Sequence, residues 1–122
     1  MTTKYLQLLD RLIQKTDAGE LAWEETAAGD AFQVSFPNYA VILSEAETPT
    51  TIDYVVELVN ADGRIIDRFS DVTLERTDPS SQRGGPRHFD RMKALFEVAR
   101  RQALGVDKAL DEILRELDNE KF

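Results

Sequence analysis

Tyr5, Leu8, Leu9 and Leu12, with Leu6 and Ile13 beside them, recur at the three-and-four spacing of an amphipathic helix, while Lys4, Gln7, Asp10, Arg11, Gln14 and Lys15 fill the opposite side. Gly19 predicts the stop of this helix near Ala18, because glycine takes the left-handed conformation that ends helices, and Leu21 is placed to fold back on the last turn. The period then changes from three-and-four to two. Leu21 to Glu25 reads as a short strand, and Ala31 to Phe36 as a clearer one, with Phe32, Val34 and Phe36 on one side and Gln33 and Ser35 on the other. Pro37 and Asn38 predict a turn, Tyr39 to Ser44 returns as a partner strand, and a polar connection through Thr48, Pro49 and Thr50 leads to Ile52–Val59.

Asn60, Ala61, Asp62 and Gly63 separate Ile52–Val59 from Arg64–Phe69 and predict a second hairpin. Two registers are open. A two-residue turn at Asp62 and Gly63 sets Glu57 opposite Arg68. A type I turn with a bulge at Gly63 sets Leu58 opposite Ile66 and Val59 opposite Ile65, matching apolar partners but leaving Glu57 facing Asp67. Apolar matching favours the bulge. Val72 and Leu74 are expected to cap the sheet edge or begin another short strand.

Residues 77–87, dense in Gly, Pro and Ser and without periodicity, predict a flexible loop. After it, Met92, Leu95, Phe96, Ala99 and Ala103 form one helical stripe that Gly105 can end; Val106, Ala109, Leu110, Ile113, Leu114 and Leu117 form a second. The expected fold is therefore a single α+β domain over residues 1–122: an N-terminal helix, an antiparallel meander of four to five strands, and two C-terminal helices packed on one sheet face. The opposite face then meets water or a partner, since Val55, Val59 and Ile65 cannot share the helices that cover Val56 and Leu58. The last stripe suits a partner's groove, but its ordinary role is to lie on the sheet.

Composition narrows the functional classes. At 122 residues and 42% hydrophobic, the chain suits one core, and a domain of this size buries roughly two-thirds of its unfolded surface. It has no cysteine, so neither disulfides nor a thiolate metal site enter the reading. Asp10 and Arg11 interrupt the N-terminus before any apolar run of signal-peptide length, and no run approaches the roughly 20 residues that span a bilayer; a soluble cytoplasmic protein without a membrane partner is expected.

The net charge of -8 opposes a surface built wholly for nucleic acid. Its distribution is uneven: residues 1–30, 31–78 and 105–122 carry -3, -6 and -3, whereas 79–104 carry six basic and two acidic side chains, or +4. That basic segment supplies the candidate anion-binding or partner-binding residues Arg83, Arg87, His88, Arg91, Lys93, Arg100 and Arg101. Helical spacing sends Arg87, Arg91 and Arg101 outward and Lys93 and Arg100 to another flank. Arginine forks suit planar anions, but the same cations also serve to neutralise carboxylates across the domain.

Catalytic chemistry is sparse. His88 is the only histidine and is expected to be exposed or capping at a helix start, since no second histidine or cysteine joins it in a metal or acid–base set. Ser80 and Ser81 have no strand-to-helix elbow around them. The pairs Glu24 with Glu25, Asp53 with Glu57, and Asp67 with Asp71 lack ligand-loop spacing. Trp23, flanked by Leu21 and Ala22, is read as core rather than as a stacking platform. No catalytic residue, cofactor or metal site is assigned.

The segment Leu21-Ala-Trp-Glu-Glu-Thr26 followed by Phe32–Phe36, the Asp62-Gly63 turn, and Leu95–Leu104 running into Val106–Leu117 resemble a family of small uncharacterised bacterial proteins with no assigned activity. The resemblance implies a prokaryotic cytosolic setting and the order helix, antiparallel sheet, two-helix tail; it brings no functional residue. The expectation is a non-catalytic interaction or regulatory protein that meets a protein partner or a second copy of itself. Alternatives are binding of nucleic acid or a phosphate ligand through 83–101, and an acidic decoy that mimics nucleic acid, suggested by the charge of 31–78.

Overall fold

The structure is a computed structural model that describes residues 4–77 and 88–119. The elements run α1 (Lys4–Asp17), β1 (Glu24–Glu25), β2 (Ala31–Ser35), β3 (Tyr39–Glu47), β4 (Ile52–Asn60), β5 (Ile65–Ser70), α2 (Asp71–Thr77), α3 (His88–Leu104) and α4 (Val106–Asp118). The strands form one antiparallel meander in the order β1-β2-β3-β4-β5, giving the expected α+β architecture. The expected loop lies outside the described residues except for Thr77, which closes α2.

Leu6, Leu9, Leu12 and Thr16 are the buried positions of α1, with Tyr5, Leu8 and Ile13 packed partly against the core. The buried stripe is centred one position away from the one the leucine spacing suggests, because Thr16 also faces inward. There its hydroxyl accepts a 3.0 Å hydrogen bond from Trp23 Nε1, and both side chains are buried, so Trp23 is core. At the end of α1, Gly19 has φ 73°. The Gly19 and Glu20 amides donate to the Thr16 and Lys15 carbonyls at 3.0 and 2.9 Å, the paired pattern of a Schellman stop, and Lys15 reaches Glu20 at 2.9 Å.

Cross-strand pairing puts Phe32, Leu43, Val56 and Phe69 in one row and Val34, Val41, Leu58 and Asp67 in the next. The apolar members of these rows meet α1 and α3 side chains in one core that includes Leu9, Leu74, Met92, Leu95, Phe96 and Ala99. Of the C-terminal helices, α3 packs on this side. α3 runs against β1 to β4, α2 meets β4, β5 and α3, and α4 follows α3. Aromatic rings lock the layers: Tyr5 stacks on Phe69 with centroids 4.6 Å apart, and Tyr54 meets Phe89 and Phe96 at 5.4 and 5.5 Å.

The second hairpin uses both registers. Gly63, at φ 82°, donates its amide to the Asn60 carbonyl, and the Asn60 side chain accepts from the Asp62 and Arg64 amides at 3.0 Å, so the turn is the bulged kind and Val59 faces Ile65. A further irregularity between Leu58 and Val59 then shifts the ladder by one, placing Leu58 opposite Asp67 and Glu57 opposite Arg68. The expected pairs Leu58 with Ile66 and Glu57 with Asp67 are thus corrected. The shift replaces two facing carboxylates with an acid facing a base and aims Phe69 into the core.

The segment holding Val72 and Leu74 is helical, not a strand or a sheet cap. Ser70 and Thr73 make a reciprocal cap, with the Thr73 amide 3.3 Å from Ser70 Oγ and the Ser70 amide 3.2 Å from Thr73 Oγ1. Asp71 adds a negative charge to the first turn, and Leu74 turns fully inward.

Candidate interaction surface

The basic segment does not gather into one patch among the described residues. Arg83 and Arg87 lie outside them. His88 opens α3 and is only 2% exposed, so of the two expected placements, exposed or capping at a helix start, the exposed one is corrected. Its amide donates to Glu75 of α2 at 2.9 Å, and its Nδ1 lies 3.2 Å from the Arg91 guanidinium, which also binds Asp10 of α1. A guanidinium only donates, so Nδ1 accepts and the ring proton of this pairing sits on Nε2. The result is a joint between α1, α2 and α3. The sequence could not show it, because Asp10 and Arg91 are 81 positions apart.

Arg91 is therefore turned toward α1 rather than outward. Arg101 pairs with Asp107 across the bend into α4 at 2.6 Å, and it shares a shallow depression of about 330 Å³ with Glu45, Phe96, Glu97 and Arg100. Lys93 and Arg100 are exposed. About 14 Å of helix separates Arg91 from Arg100 at 1.5 Å per residue, so the two cannot grip one small anion.

Asp67 and Asp71 take separate partners. Asp67 accepts the Tyr5 hydroxyl at 2.7 Å, and Asp71 is buried with Oδ1 2.9 Å from the Tyr54 amide. Burial pushes the Asp71 carboxyl up, the Tyr54 amide opposes this, and Asp53 and Glu75 add further upward pressure. The hydrogen bond to Asp67 raises the Tyr5 phenol. Tyr54 donates to Glu45 at 3.0 Å; burial first, then this bond and the charges of Glu45, Glu97 and Asp71, push the phenol up to about 12. A phenol that holds its proton more tightly when folded adds stability that is complete below its unfolded value near 10 and is lost as pH rises toward about 12. Unfolding free energy should fall through that window in denaturant titrations, and Tyr54→Phe should flatten the fall.

The sheet side away from the core carries Gln33, Ile42, Glu57 and Arg68 in one row and Ser35, Ala40, Val59 and Ile65 in another. Val55 is buried, Val59 is half-buried and Ile65 is exposed. Charges and small residues break up its apolar area, as expected for a sheet face that meets water.

The surface that stands out is α4. Gly105, at φ 65° and ψ 37°, ends α3 and starts α4 in the left-handed conformation, and the Ala109 amide bonds the Gly105 carbonyl at 3.0 Å. Beyond this bend no residue of α4 is buried: Leu110, Ile113, Leu114 and Leu117 are 47, 55, 56 and 51% exposed, and Leu104 before the bend is also exposed. Val106, Leu110, Ile113 and Leu117 follow a four-three-four spacing, the seam of a helix that packs against another helix. A helix of 13 residues is marginal in water without tertiary support. Covering the half-exposed stripe would release about 3–6 kcal/mol at roughly 1.5–3 kcal/mol per fully buried side chain. The stripe is legible in the sequence; its exposure is not, since the same pattern serves a helix lying on its own sheet.

No helix among the described residues is long and apolar enough to cross a membrane. No protein-family model matches the chain, and no curated protein or solved structure matches it significantly.

Proposed function

We propose that this protein is a non-catalytic interaction or regulatory protein that docks through α4, in the bacterial cytosol implied by the resemblance of its Trp23 segment and helical tail. The carrying observation is that Leu110, Ile113, Leu114 and Leu117 form an apolar stripe about half exposed on a helix with no buried residue. Contiguous apolar surface of this kind on a well-packed domain marks an interaction site. The basic segment is the weaker choice, because Arg91 and Arg101 are held by Asp10 and Asp107. Those two charges serve the domain's own joints.

A photo-crosslinking residue in place of Ile113, compared in cells with one in place of Thr50 on the β3–β4 connection, tests this reading. Discrete covalent adducts are expected from position 113 and not from position 50. A chain that forms none at 113 has no partner on α4, and the proposal falls.

A further inference from the structure

The occupant of the stripe can be argued from charge. α4 carries Asp107, Asp111, Glu112, Glu116 and Asp118 against Lys108 and Arg115, a balance of -3, and follows directly on the +4 of residues 79–104. Within one molecule the two helices exchange a single ion pair among the described residues, Arg101 with Asp107 at the bend. Lys93 and Arg100 on α3 and Asp111, Glu112 and Glu116 on α4 are all exposed, and none of them is in an ion pair among the described residues. One chain thus presents an acidic apolar helix and, beside it, a basic helix with Leu104 exposed and Val98 half-buried.

We propose, resting on the reading of α4 as the docking helix, that the partner is a second copy of this chain: the two α4 helices pair antiparallel through Leu110, Ile113, Leu114 and Leu117, and each lays its acidic flank along α3 of the other copy. The arrangement is isologous and closes at two molecules, so every stripe is covered and nothing is left to extend a filament. Pairing α4 with α4 alone brings two acidic helices together; contact with Lys93 and Arg100 of the other copy offsets that repulsion. An anionic membrane surface is a poor alternative occupant, because the stripe is flanked mainly by carboxylates.

Sedimentation of the full chain across concentration and salt tests the proposal. A monomer–dimer equilibrium weakened by salt is expected. Leu110→Gln with Ile113→Gln keeps good helix formers in α4 and should weaken association more than about tenfold while leaving the core's thermal transition in place. Arg100→Glu should weaken the dimer, and mixing that chain with one carrying Asp111→Lys and Glu112→Lys should restore association as a heterodimer. A chain that stays monomeric at its solubility limit overturns self-pairing, and adducts at position 113 to a different protein would then show that the docking reading itself survives. A dimer indifferent to the glutamine pair overturns both readings, and one lost with that pair but indifferent to the charge exchange overturns the seat of α4 on α3.

Discussion

Leu43→Ala should lower the unfolding free energy by about 2–5 kcal/mol, whereas Leu114→Ala should change it by less than about 1 kcal/mol at concentrations where the chain is monomeric. Both delete the same three carbon atoms, so transfer chemistry is equal and only surroundings differ. Leu43 sits on the central strand with no exposed surface, between Phe32 and Val56 in the row beneath the helices. Its truncation leaves a cavity that the ladders on both sides prevent from collapsing. Leu114 already gives half its surface to water, and no residue of α4 is buried. Chemical denaturation of the two variants in dilute solution checks the contrast, and equal losses would mean that α4 belongs to the core.

Asp71→Ala should cost about 1–3 kcal/mol, and Asp71→Asn should be neutral or stabilising at pH 7. Asp71 is 6% exposed, and its Oδ1 accepts the Tyr54 amide at 2.9 Å just where β5 passes into α2. Alanine leaves that buried amide without its acceptor. Asparagine keeps an oxygen there and removes a charge that burial disfavours. The sign follows from the raised carboxyl: a group that binds its proton more tightly when folded contributes stability below its unfolded value near 3.8, and loses it as pH rises through the folded value. The advantage of Asp71→Asn over the parent should therefore shrink as pH is lowered toward the unfolded value. Thermal unfolding of the three chains at neutral and acidic pH separates the loss of an acceptor from the loss of a charge.

Tyr54 and Asp71 show where sequence reading ends. Their partners are 9 and 17 positions away, and the bonds depend on how β3, β4 and the start of α2 are stacked. His88 is the clearest case: a lone histidine beside a Gly- and Pro-rich segment reads as exposed or capping, yet Glu75 and Arg91 hold it inside a three-helix joint. By contrast, the Ser70 to Thr73 cap is local to four consecutive residues, while the alternation of Val72 and Leu74 beside it mimics a strand.

Periodicity, glycine placement and turn chemistry are local, and they suffice for the helix ending at Gly19, a meander of four to five strands, the Asn60–Gly63 turn and the bend at Gly105. The turns and helix ends among these features depend on interactions spanning about five residues, whose geometry the residues themselves impose. Burial of His88, the register change beside Leu58 and the exposure of α4 depend on which surfaces are already occupied. An amphipathic stripe specifies that a helix needs an apolar neighbour, and with α1, α2 and α3 on the core face of the sheet, Leu110, Ile113, Leu114 and Leu117 are left about half exposed among the described residues.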